Sequence, residues 1–204
     1  LDVKNCTDYL PESNVLLYEL NGLDWIAFRP SGTEPKFKIY FGFYGAESAA
    51  ESRLERISKA VVAEINKHNY ELALELHFNA ASQQANGCES LIYFKNEQAK
   101  KYAELFMKKL KAEYGSNIRK EWNKLKEKKI DKNGKEVMIE KTVETEGIIL
   151  ITDSKTRGGY GICNTNCTYV LVEPFFGTNE EASKFKDVKK MAHFIVDFIN
   201  SMKI

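Results

Sequence analysis

Apolar and polar residues alternate with a period of two over residues 15–20, 25–28 and 37–43, the pattern of half-buried strands. Asn21-Gly22, between the first two runs, is a tight-turn signal and predicts a hairpin. The period then lengthens. Leu54, Ile57, Ala60, Val61, Ala63 and Ile65 supply the apolar stripe of a helix over residues 46–65, with Glu47 and Glu51 in its early turns, where the helix dipole favours acids. Residues 1–66 therefore read as a small unit of three strands and one helix.

Beyond residue 66 the pattern becomes a series of short apolar runs separated by polar loops and helices. Residues 70–79 alternate, with Leu72, Leu74, Leu76 and Phe78 on one face and Ala73, Glu75, His77 and Asn79 on the other. Residues 90–93, 148–152 and 169–172 read as further short strands. The last of these delivers a carboxylate, Glu173, at its end. Helices are predicted over 96–114, with Ala99, Tyr102, Ala103, Leu105, Phe106, Leu110 and Ala112 inward, and over 188–202, with Met191, Phe194, Ile195, Phe198 and Ile199 inward. Asn133-Gly134 predicts a hairpin over residues 129–139. Arg157-Gly158-Gly159-Tyr160-Gly161 reads as a flexible loop, suited to a turn or a groove rim. Thr178-Asn179-Glu180-Glu181 is a helix-start signal. The fold class is α/β in two domains, 1–66 and 67–204, with no flexible linker between them.

Charge is nearly balanced, at a formal +1, so nothing general points to nucleic acid. The lysine-rich stretch at 108–141 reads as a solvated face. No apolar run reaches the roughly 18 residues of a membrane span. The sequence shows no charged-then-apolar leader, which predicts a chain that is cytoplasmic as made. Reduced thiols are then the default for Cys6, Cys88, Cys163 and Cys167.

Two stretches carry chemistry. The first is Arg29-Pro30-Ser31-Gly32-Thr33-Glu34-Pro35-Lys36. A glycine flanked by hydroxyls, with an arginine before it and a lysine after it, forms a phosphate cradle: backbone amides approach the anion, Ser31 and Thr33 donate to it, and Arg29 clamps two oxygens. A plain turn is the bland alternative. This run resembles the signature loop of the α-D-phosphohexomutases, phosphoglucomutase and phosphomannomutase, in their C-terminal domain. The resemblance covers roughly residues 8–65 and implies that Arg29, Ser31, Gly32 and Thr33 bind the phosphate of a sugar. The phosphoserine, the magnesium site and the sugar-recognition loop of those enzymes have no counterpart here, so binding without turnover is expected.

The second stretch is Glu75-Leu76-His77-Phe78-Asn79-Ala80, followed in order by Gly87-Cys88-Glu89-Ser90-Leu91-Ile92-Tyr93 and by Leu171-Val172-Glu173-Pro174-Phe175-Phe176. Together they resemble the zinc-dependent N-acetylmuramoyl-L-alanine amidases, especially those of phage endolysins, over roughly residues 66–204. The resemblance implies an α/β sheet flanked by helices, zinc as cofactor, peptidoglycan as partner, and the cell wall as site of action. It implies His77 as a zinc ligand and Glu173 as the catalytic carboxylate.

A catalytic zinc needs about three protein ligands and an open position for water. The segment that carries the family's first histidine and a glutamate ligand is replaced here by the mutase-like unit, so the sheet is expected to be incomplete, with an edge open to pairing with another copy. His68 lies about 30 Å along extended chain from His77. Glu75, two residues before His77, is expected about 6 to 7 Å away, both side chains pointing outward. Three readings remain open: a peptidoglycan amidase, a phosphosugar-binding module, and a fusion of two gene pieces.

Overall fold

The computed structural model describes residues 2–4, 16–19, 24–30, 37–42 and 47–202. The chain divides into two compact units, Leu1–Ala60 and Val61–Ile204. The Asn21-Gly22 turn and Cys6 lie outside the described residues.

The first unit holds strands β1 (Asp2–Lys4), β2 (Leu16–Glu19), β3 (Trp25–Pro30) and β4 (Phe37–Gly42), all antiparallel in the order β1-β2-β3-β4. The three strands expected from the alternation are present, and β1 adds a fourth that is too short to show a period. Helix α1 (Glu47–Ile65) follows and passes from the first unit into the second. Asp24 is buried and ion-paired with Arg53 of α1 at 2.8 Å.

The second unit is a mixed sheet between helices. Strands β5 (Leu72–Leu76), β6 (Glu89–Tyr93), β9 (Ile148–Ile151) and β10 (Thr168–Glu173) lie in the order β5-β10-β6-β9. β10 runs parallel to β5 and antiparallel to β6, and β6 runs parallel to β9. Helices α2 (Glu97–Tyr114) and α4 (Val188–Ser201) cover one face. Their Phe106, Leu110, Phe194 and Phe198 pack on Ile92, Ile148, Val170 and Val172, which form the main core. The three phenylalanines meet edge to face, the arrangement aromatic quadrupoles prefer. Both helices start on a side-chain cap: Asn96 accepts from the Ala99 amide at 2.9 Å, and Asp187 from the Lys190 amide at 3.0 Å.

The other face is covered by helix α3 (Gly159–Asn164), with Leu91, Ile151, Ile162 and Leu171 in a smaller core. A flexible loop was expected there. The glycines make the helix possible instead. Gly158 takes φ +67°, and a Cβ on it would come within 2.8 Å of Leu171. Gly161 lets the Tyr169 ring approach so closely that a Cβ would stand 2.5 Å from its hydroxyl.

The hairpin around Asn133-Gly134 is far longer than expected. It comprises β7 (Lys120–Ile130) and β8 (Glu136–Glu146). Apolar alternation does not announce it, because cross-strand ion pairs stand where apolar pairs would: Lys120–Glu144 at 2.9 Å, Lys124–Glu140 at 3.3 Å and Lys128–Glu136 at 2.8 Å. The solvated lysine face is as expected.

Candidate functional site

The sheet topology brings the polar strand ends together. In the parallel pair, Leu76 lies opposite Val172, and the His77 amide donates to the Val172 carbonyl at 3.0 Å. His77 and Glu173 are thus the next positions along neighbouring strands. In the antiparallel pair, Glu173 stands directly opposite Glu89. Leu171 and Leu91, two residues back on each strand, lie in the smaller core, so both carboxylates share its face.

Two carboxylates face to face on adjacent strands repel each other, and both side chains are buried, at 4% exposure for Glu89 and 6% for Glu173. Arginine resolves this. Nη2 of Arg157 donates to Glu89 Oε1 and to Glu173 Oε2. Arg119 Nε lies 3.1 Å from Glu89 Oε2, and Asn79 Nδ2 donates to Glu89 Oε1 at 2.5 Å. Asn79 is fixed by its backbone, which donates to Phe175 at 2.9 Å and accepts from Gly177 at 2.8 Å. Burial above all, and hydrogen bonding with Glu89, push the Glu173 carboxyl up to about 7, against the opposing pull of Arg157.

The imidazole side is more open. His77 is 42% exposed, and its Nε2 lies 2.7 Å from Glu75 Oε1. Glu75 Oε2 accepts from the Tyr169 hydroxyl. The bond to Glu75 holds the His77 pKa above its ordinary value. Burial, and then Glu75, push the Tyr169 hydroxyl far up, so it stays a donor. The expectation that Glu75 and His77 stand 6 to 7 Å apart is corrected. The strand ends at Leu76, so His77 is free to turn back onto its neighbour.

The structure thus brings His77 and Glu173 together, and adds Glu75, Asn79, Glu89, Arg119, Arg157 and Tyr169. Sequence reasoning assigned no role to Glu89 or Arg157. A charge at the head of an apolar strand, and an arginine beside two glycines, were the available signals. His68 sits 3.5 Å from Glu64, and His193 is exposed on α4, away from this cluster. Arg29 lies in β3 opposite Lys38, while Ser31, Gly32 and Thr33 lie outside the described residues.

Among the described residues, no group of three histidine, cysteine or acidic side chains is placed to hold a metal. Glu89 and Glu173 are already paired with Arg119 and Arg157, which would repel a dication. His77 fits one ligand position, since metal-binding histidines donate their second nitrogen to a carboxylate, as His77 does to Glu75. The described donor set does not fit a zinc ion on its own.

A mixed sheet with helices on both faces, and polar strand ends converging at one border, define an α/β protein with a candidate site at that border. The family described as N-acetylmuramoyl-L-alanine amidase matches residues 48–201, and the chain belongs to it. That family is generally zinc-dependent. Among solved structures, Cwp6 from Clostridium difficile is 18% identical, with a TM-score of 0.51 over 72% of this chain and 20% of that one; this likeness is one of fold. The catalytic domain of the CD27L endolysin targeting Clostridia difficile is 24% identical, with a TM-score of 0.47 over 74% of this chain and 65% of that one. A phosphomannomutase of Mycoplasmoides pirum is 40% identical over 52 residues, 26% of this chain and 8% of that protein. The chain therefore spans less than two thirds of each of these relatives.

Proposed function

We propose that the protein acts on peptidoglycan as an N-acetylmuramoyl-L-alanine amidase, hydrolysing the amide between the lactyl group and L-alanine, and that the cell wall is its site of action. One observation carries this reading. Glu173 is buried at the end of β10, beside His77, with a proton affinity near neutrality. A carboxyl of that kind takes a proton from attacking water and passes it to the leaving amine. Arg157 and Glu89 hold it in place, and Glu75 orients the His77 imidazole.

His77 supplies one metal ligand in this reading. The remaining donors would come from another chain. A second copy pairing along β5, the terminal strand of the sheet, is one route to that completion.

The test is digestion of purified peptidoglycan by zinc-supplemented protein, with the released fragments read by mass spectrometry. Stem peptides beginning with free L-alanine are expected, and Glu173→Gln should lower their release by about 10²- to 10⁴-fold. Metal content should fall in His77→Ala. Cleavage in the glycan strand, or no release from zinc-loaded protein, overturns the assignment.

A second reading concerns the first unit. The phosphomannomutase similarity over 52 residues, and the Arg29–Lys36 loop, support descent from a phosphohexomutase C-terminal domain fused to an endolysin-type amidase. In that reading Arg29, Ser31, Gly32 and Thr33 hold the phosphate of a sugar without turning it over. Calorimetric binding of mannose 6-phosphate, lost in Arg29→Ala, is expected. Binding that survives the substitution sinks the phosphate site.

A further inference from the structure

Beside the paired carboxylates lies a groove of about 280 Å³ whose lining includes Leu91, Ile149, Ile151, Thr152, Thr156 and Arg157. Leu91 and Ile151 are buried in it, Ile149 is half-buried, and the threonines are exposed. An apolar floor with a few polar groups at its rim is the composition of a ligand site.

Arg157 belongs to both the groove and the catalytic pair. Its Nη2 spans Glu89 and Glu173. A guanidinium has five N–H donors. Among the described residues, those on Nε and Nη1 have no protein acceptor, and the side chain is 53% exposed. Gly158, in the left-handed region against Leu171 and Leu91, fixes the backbone directly after it. The arginine is therefore held at its Nη2 end by two buried carboxylates and offers its other donors to the groove.

Resting on the amidase reading above, we propose that this groove receives the peptide that follows L-alanine in the wall stem, and that Arg157 selects a free carboxylate on it. An amide cleaved at Glu173 places its leaving amine within a residue or two of Arg157, because Arg157 touches Glu173 directly. Alkyl parts of the stem lie on Leu91, Ile149 and Ile151. The acid accepts from the free guanidinium nitrogens. A charge-assisted bond of this kind separates an acid from its amide by about tenfold in affinity.

The test is an NMR titration of the purified chain with L-alanyl-D-glutamate and with its α-amide, L-alanyl-D-isoglutamine, both capped as γ-methylamides so that the α-carboxyl is the one group that differs. The acid should bind about tenfold more tightly than the amide. Arg157→Gln should abolish the difference. Because that variant removes the cation shared by two buried carboxylates and could unfold, Ile149→Glu provides a second arm. A negative charge at the groove rim should weaken the acid far more than the amide. Equal affinity of the unaltered protein for acid and amide, no binding of either at millimolar concentration, or an acid preference that survives Ile149→Glu overturns the inference. None of these readouts depends on hydrolysis. A protein that binds the acid but cuts no wall keeps the groove and loses the amidase activity.

Discussion

The two halves of the site are built in opposite ways. The Glu173 half lies inside the sheet: the carboxylate sits on β10, faces Glu89 across the β6 pairing, and is locked by Arg157 at the head of the α3 layer. Every charge there has a partner. The His77 half lies just past the end of β5, the terminal strand, with one carboxylate to orient it and a large solvent-exposed fraction. The Glu173 half is therefore complete within the described unit, because its neighbours are the central strands themselves. The His77 half borders the free side of β5 and has fewer neighbours of its own.

This contrast predicts unequal costs. Arg157→Ala leaves Glu173 without its cationic partner, facing a Glu89 that keeps Arg119. It should cost toward the lower end of the about 3–5 kcal/mol typical of a broken buried pair, since the arginine itself is half in solvent. Urea unfolding measures this, and a loss under 1 kcal/mol would mean the two acids are not held as a pair.

The borders of the sheet offer a second contrast. At β9, Asn123 takes the part of a neighbouring strand: its Nδ2 donates to the Ile148 carbonyl at 3.0 Å and its Oδ1 accepts from the Leu150 amide at 2.7 Å. Asn123→Leu should cost about 1–3 kcal/mol by leaving these groups unsatisfied. The same urea experiment reads it, and faster hydrogen exchange at Leu150 should accompany it.

Glu173 also gives the stability a pH dependence. Its ordinary pKa is 4.5 and its folded value is pushed up to about 7, so the native carboxyl holds its proton more tightly than the unfolded chain does. The associated stability is complete below about pH 4.5 and is lost as the pH rises through about 7. His77, also raised, contributes in the same direction above its ordinary 6.5. Unfolding midpoints should therefore decline over this window, and Glu173→Gln should flatten the decline. An unchanged slope would show that another group causes it.

The smallest effect belongs to His77→Ala. The pair with Glu75 is exposed on the imidazole side, and its removal should change stability by about 0–1 kcal/mol. A loss comparable to that of Arg157→Ala would erase the distinction between the two halves.

Much of the second unit was legible in residue order. The strands around Leu74, Leu91 and Leu171 and the two long helices follow from apolar period alone; the first of these strands, expected over 70–79, stops at Leu76. His77 and Glu173 were visible as polar residues closing apolar runs. Arg157 was not, because its role is made by contacts 68 and 16 residues away along the chain, to Glu89 and Glu173. The hairpin outgrows the expected 129–139 because charged pairs, not apolar ones, hold the half away from its turn.

Local periodicity, turn residues and caps determined which segments became strands and helices, since those preferences act over a few residues. Only the tertiary fold decided that β10 lies between β5 and β6. That ordering sets Glu173 against Glu89 and beside His77, and it is a pairing between distant segments that no stretch of neighbouring residues encodes.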